Sequence, residues 1–206
     1  MAIQLIFTGT TPNDGTGDNL KVGAGKINDN FESIISGSSA IDSVQFALTG
    51  SGQWAEGKVE WDSVNKTMVM YTDVEDVTLQ SGQEIWMRIY NNTTSSIANG
   101  KVATVVGVTT EGVPHIDLAI ASDPISSINV VGTTTHVISA GTYGYVTTLG
   151  FVRDVDNSHL PDGVATYLSA TEAGEVTHIR PQSPNYEVRM GGNAKTGVTD
   201  GILYCE

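Results

Sequence analysis

The sequence is short of cysteine, of basic residues, of aromatic bulk and of long apolar runs, and each shortage removes a class of protein. Its single cysteine, Cys205, has no intrachain partner and stands next to the last residue, so it reads as a buried or fraying terminal thiol and not as a nucleophile. Ten Lys and Arg stand against 23 Asp and Glu, a formal charge of −13. Such a surface repels phosphate backbones and anionic membranes, so neither nucleic acid nor membrane is expected as a partner. A membrane-spanning helix needs about 20 consecutive apolar residues, and no run approaches that. The opening MAIQLIF lacks the basic region and the small-residue cleavage site of a signal peptide. Charged residues make up only 16% of the chain, fewer than long amphipathic helices usually carry.

What is abundant is glycine, 23 residues, together with runs of Val, Ile and Thr, the composition of many short strands joined by tight turns. From Lys58 the pattern alternates. Residues 58–72 read as a hairpin around a polar turn of Asp62, Ser63, Asn65 and Lys66. In EIWMRIYNN, residues 84–92, both faces carry bulk, as in a strand buried on one side by its own subunit and on the other by a neighbour. Trp86 and Tyr90 share one face by parity and are expected at a subunit interface. Asn99-Gly100 signals a turn before a Val-rich strand. Further strands are expected at 115–121, 128–137, 143–153, 164–168, 175–180, 186–190 and 201–204, punctuated by glycines such as Gly141, Gly150, Gly174 and Gly191. The expected class is mainly β: a short N-terminal helix followed by an antiparallel β-sandwich or small β-barrel. The expected division is an attachment or trimerisation segment at 1–35, a linker at 36–57 and a projecting β-domain at 58–206, with 58–110 and 111–206 as candidate halves.

The N-terminal segment TGTTPNDGTGDNLKVGAGKINDNFESI, residues 8–34, is built differently. Asp18 is a candidate N-cap, and after it Leu20, Ala24, Ile27, Phe31 and Ile34 follow the steps 4, 3, 4, 3 of a heptad seam. Alone, that helix is marginal, because Gly23 and Gly25 each cost about 0.8–1.0 kcal/mol relative to Ala. Its narrow apolar stripe needs a partner: its own β-domain, identical helices around a symmetry axis, or a socket on another protein. Asn13, Asp14, Thr16 and Asp18 are oxygen donors of the kind that surround calcium, but no Glu follows where an EF-hand needs one, and a tight Asn13-Asp14-Gly15 turn is the better reading. GAGKI lacks the Ser or Thr and the preceding glycine of a P-loop.

This segment closely resembles one near the N-termini of many tailed-bacteriophage virion proteins, tail fibres and structural proteins among them. The match runs through Gly9, Thr10, Asn13, Asp14, Gly15, Thr16, Gly17, Asp18, Leu20, Lys26, Ile27, Asn28, Asn30 and Phe31, and departs at KVGAG. The stretches MRIYNNTTSSIANGKVATVVG, GYVTTLGFVRDVD and LPDGVATYLSATEAGEVTHIRPQSPN resemble the β-domain of phage fibre, collar and head-decoration proteins. The resemblance implies a homotrimeric, non-enzymatic component on the outside of the virion. Its N-terminal segment would bind the major capsid protein, a neck or tail protein, or itself. The chain's shortness favours a head-decoration or cement protein, or a head or collar fibre. The alternative is a tail-fibre component or a carbohydrate-binding adhesion module for a host-surface glycan, with Trp54, Trp61, Trp86, Tyr71 and Tyr90 as its aromatic face.

Catalytic signatures are sparse. His115, His136, His159 and His178 show no close metal spacing. The nearest carboxylate groupings, Asp73/Glu75/Asp76 and Asp154/Asp156, read as solvated turns, and Gly-x-Ser-x-Gly is absent. No enzyme activity and no cofactor or metal are expected.

Overall fold

A computed structural model describes residues 4–11, 15–35, 44–49, 52–75 and 77–206. The chain divides into two compact units, Met1–Phe46 and Ala47–Glu206. Asn13 and Asp14 lie outside the described residues, as does the side chain of Ile34.

The first unit contains one helix, α1 (Leu20–Ile35). Its N-cap is Asn19, one residue later than the sequence suggests. Asn19 Oδ1 accepts from the Val22 amide at 3.0 Å, and the Asn19 carbonyl takes the first helical bond, from Gly23. Asp18 is released from capping and pairs instead with Phe7 and Lys26.

The second unit is mainly β. Two strands, β1 (Val59–Asp62) and β2 (Thr67–Tyr71), form the expected hairpin, with Asp62 Oδ1 accepting from the amides of Val64 and Asn65 in the turn. A short third strand, β3 (Thr78–Gln80), completes this sheet. Strands β4 (Ile85–Asn91), β5 (Val102–Val108), β6 (Pro114–Leu118), β7 (Val130–Thr134) and β8 (Tyr143–Val155) close into a barrel, because β7 pairs with β8 as well as with β5. One pair, β4 with β6, is parallel, so the barrel is not purely antiparallel as expected. Ile89, Ala103, Ile116 and Val146, from four of the barrel strands, form a fully buried cluster with Ile97 and Ile138. Gly144 has no room for a side chain here: a Cβ would lie 2.7–2.9 Å from Ile138.

Beyond the barrel, the long β8 pairs with β12 (Gly201–Cys205), and the sheet continues through β11 (Arg189–Lys195), β9 (Ala165–Leu168) and β10 (Val176–Thr177). A second cluster, including Val152, Val155, Leu160, Leu168, Met190 and Leu203, packs this extension. Burial of these apolar side chains, at about 25 cal/mol per Å² of surface removed from water, is the main stabilising term in both clusters.

Three expectations are corrected. Residues 128–137 are not one strand: Asp123 caps a five-residue helix, α2 (Pro124–Ile128), accepting from the Ile125 and Ser126 amides, and β7 starts only at Val130. The strand expected at 186–190 begins at Arg189 and runs through Gly191 and Gly192. The strand expected at 175–180 is only two residues long.

Candidate functional site

In the first unit the segment from Gln4 to Phe7 is strapped along α1 by side chains of the glycine- and asparagine-rich motif. Asn30 reads both backbone groups of Gln4: its Oδ1 accepts from the amide at 2.7 Å and its Nδ2 donates to the carbonyl at 2.8 Å. One turn earlier, Lys26 donates to the Leu5 carbonyl at 3.1 Å and to Asp18 Oδ2 at 2.7 Å. Asp18 pairs twice with Phe7, its amide donating to the Phe7 carbonyl at 2.7 Å and its Oδ2 accepting from the Phe7 amide at 2.9 Å. The hydrogen bond from Lys26, then that from Phe7, hold the Asp18 carboxyl below its ordinary range. Gly17 lets the two stretches approach, since a Cβ there would lie 2.9 Å from the Gly9 nitrogen and 3.0 Å from the Phe7 oxygen.

The motif therefore spends its polar side chains inside the unit, on an extended backbone that has no sheet neighbour to satisfy it. Gly23 is buried beneath Ile6, whose Cγ2 would meet a Cβ at an ordinary 3.7 Å. The apolar seam is left outside. Leu20 is 91% exposed and Phe31 61%, with Ile27 and Ala24 exposed between them. The strap adds Leu5, 84% exposed, and Phe7. Residues 5 to 7 belong to this surface, and the sequence reading left them out; the apolar opening IQLIF was the only signal for them.

Trp86 and Tyr90 do share a face of β4, and both are half-buried within their own chain. Trp86 meets Tyr145 edge-on at 4.6 Å, and Tyr90 lies 5.2 Å from both Tyr143 and His115. Arg88, between them, stacks over Tyr143 at 4.0 Å and reaches Asp73. On β4 the side chains of Ile85, Met87 and Arg88 remain exposed, as do Leu149 and Phe151 on the neighbouring β8 and Tyr204 on β12. Of the five aromatic residues considered as a sugar-stacking face, Trp54 is exposed, and Trp61, Tyr71, Trp86 and Tyr90 are half-buried.

The remaining candidates serve turns and contacts. Asp156 accepts from the Ser158 amide and hydroxyl, and His159 Nε2 contacts the Val176 carbonyl at 3.1 Å. Among the described residues, no three His, Cys, Asp or Glu side chains are grouped to hold a metal ion, and no helix is long and apolar enough to cross a membrane.

No protein family, curated protein or solved structure matches this chain.

Proposed function

We propose that the chain is a structural protein of a tailed-bacteriophage particle, a short homotrimeric head-decoration or cement protein, or a head or collar fibre, exposed on the virion surface. The observation that carries this reading is the outward seam of Leu20, Ala24, Ile27 and Phe31. A heptad-spaced apolar surface on a helix whose polar motif residues already have intramolecular partners has packing against protein as its main use. Leu20 and Phe31 would anchor the contact, and Asp18, Lys26 and Asn30 would fix the strap that widens it. The β-barrel unit would project from the particle. The resemblance of residues 8–34 to virion proteins supplies the particle; the seam supplies the manner of attachment.

The test is the native mass of the purified protein by light scattering at low and high salt, paired with incorporation into particles. The expected mass is that of three 21.7 kDa chains, insensitive to salt because the contact is apolar. Phe31→Asp places a charge in the seam, and is expected to give a folded monomer that no longer joins the virion. A Phe31→Asp protein that still trimerises and is incorporated would refute the assignment of the seam.

A further inference from the structure

The barrel unit carries a groove whose chemistry is unlike that of the apolar seam. It lies between α2 and the β5–β6 pair and has a volume of about 490 Å³. Its walls include Val106, Leu118, Ile120 and Ile125, together with Asp117 and Asp123. We propose that this groove binds an extended segment of another protein, apolar along its middle and basic at its ends, which adds to β5 as a further strand.

The strand edge is the first argument. β7 pairs with β5 only from Val102 to Thr104, after which the Val105 amide donates to the Asn129 carbonyl at 3.0 Å. From Val106 to Val108, β5 has β6 on one side and, among the described residues, no strand on the other. The backbone of such an edge is a template for another strand, and lysine or proline is its usual side-chain guard. Val102–Val108 contains neither, and Val106 and Val108 are 56% and 62% exposed. Strand addition takes its affinity from main-chain hydrogen bonds and its selectivity from pockets beside the edge. The groove is such a pocket.

The apolar wall is the second. Ile125 on α2 is 69% exposed, so both α2 and β5 present apolar surface to solvent where they form the groove. The polar atoms between them are already paired. Thr104 Oγ1 donates to the Ser126 carbonyl at 2.9 Å, and Ser126 Oγ accepts from the Ile120 amide at 2.9 Å. A polar small molecule gains little from such a wall, whereas Val or Ile side chains gain by leaving water. Charge then decides the occupant. Asp117 Oδ1 accepts from the Leu118 amide, and Asp123 Oδ1 from the amides of Ile125 and Ser126. Among the described residues neither carboxylate is paired with a cation, and no Lys or Arg lines the groove. Two such carboxylates beside an apolar wall select a segment that brings Lys or Arg with its apolar residues, and they repel an acidic one. A second copy of this chain, at a formal −13, brings the wrong sign.

The proposal does not rest on the virion reading, and it is tested on the purified full-length chain. The probe is the end-capped peptide Lys-Thr-Val-Thr-Val-Thr-Lys, whose valines and lysines share one face when it is extended. Two comparison peptides carry glutamate in place of the lysines, or serine in place of the valines. Amide NMR shifts of the isotope-labelled protein are expected to saturate at millimolar probe and to centre on Val106–Val108 and Ile125. Both comparison peptides are expected to bind roughly tenfold more weakly or not at all. Val106→Lys places a guarding charge on the edge and is expected to abolish binding, with an unchanged thermal midpoint because the side chain already faces water. Asp117→Asn combined with Asp123→Asn keeps the accepting oxygens, asparagine being an equal helix cap, and is expected to weaken binding roughly tenfold. If Val106→Lys fails to fold, the double variant alone decides. No saturable binding of the lysine peptide would overturn the proposal. So would equal binding of the glutamate peptide, or binding that the double variant leaves unchanged. A native mass that falls in Val106→Lys without peptide would give the groove to a second copy, and would overturn it too. Phe31→Asp acts on the seam and leaves the groove intact, so the two readings fail separately.

Discussion

The Tyr145 hydroxyl donates to Asp73 Oδ1 at 2.6 Å, and burial, reinforced by that bond, pushes the phenol's pKa up to about 12. The same bond, with the nearby Arg88, holds the Asp73 carboxyl below its ordinary range. The two shifts act at opposite ends of the pH scale. The contribution of Asp73 is present above its unfolded value of about 4 and is lost as pH falls through the lower folded value. That of Tyr145 is complete below the unfolded value of about 10, and is lost as pH rises through about 12. Tyr71, bonded to Glu60, is likewise raised to about 12. Tyr71 and Tyr145 are therefore expected to give a late phase, near pH 12, in an ultraviolet pH titration. Tyr145→Phe should remove one late-titrating group and flatten the alkaline fall in the urea midpoint. An unchanged late phase in that variant would assign the shift to another residue.

At the scale of single elements, α1 is held in two ways of unequal strength, by its strap and by its own helical propensity. Gly25 has nothing within 4 Å of where a Cβ would stand, so alanine meets no obstacle there and recovers the helical preference that glycine forgoes. Gly25→Ala is expected to stabilise the helix by about 0.8–1.0 kcal/mol, read as roughly fourfold slower amide exchange across residues 20–35. Gly17→Ala is expected to do the reverse, because its Cβ would drive against the backbone at Thr8 and Gly9. The same contrast explains what could be read from the sequence. The period of α1 and the hairpin of β1 and β2 were legible because each is set by local spacing and turn chemistry. Gly191 misled, reading as punctuation when it lies within β11 at φ 126°, where a Cβ would stand 1.9 Å from the Tyr204 carbonyl oxygen. Close approach of a second strand selects glycine there, and nothing local announces it. The three-residue β3 gives too short a pattern to find, and the parallel pairing of β4 with β6 is a long-range choice. At the site, the heptad seam was visible but its strap was not. Asp18, Lys26 and Asn30 show their purpose only when Phe7, Leu5 and Gln4 lie beside them.

At the scale of the whole molecule, the two units are unequal in what they can do alone. Among the described residues, every member of both apolar clusters falls between Ile89 and Cys205, within Ala47–Glu206. The first unit has the exposed seam, a 16-residue helix and a strap held by side-chain hydrogen bonds, which is little to fold around without a partner. A formal charge of −13 adds mutual repulsion between copies, so association must come from a surface where apolar contact outweighs it, as the seam can provide. Deleting residues 1–35 is therefore expected to leave the thermal midpoint of the barrel unit unchanged, and to abolish both trimer formation and incorporation into particles. Calorimetry and light scattering on the truncated chain, with incorporation scored against the full-length protein, separate the two effects. A truncated chain that unfolds would place part of the barrel's stability in the first unit. One that folds and is still incorporated would move the attachment surface to the barrel, where exposed Ile85, Leu149 and Phe151 would be the next residues to charge.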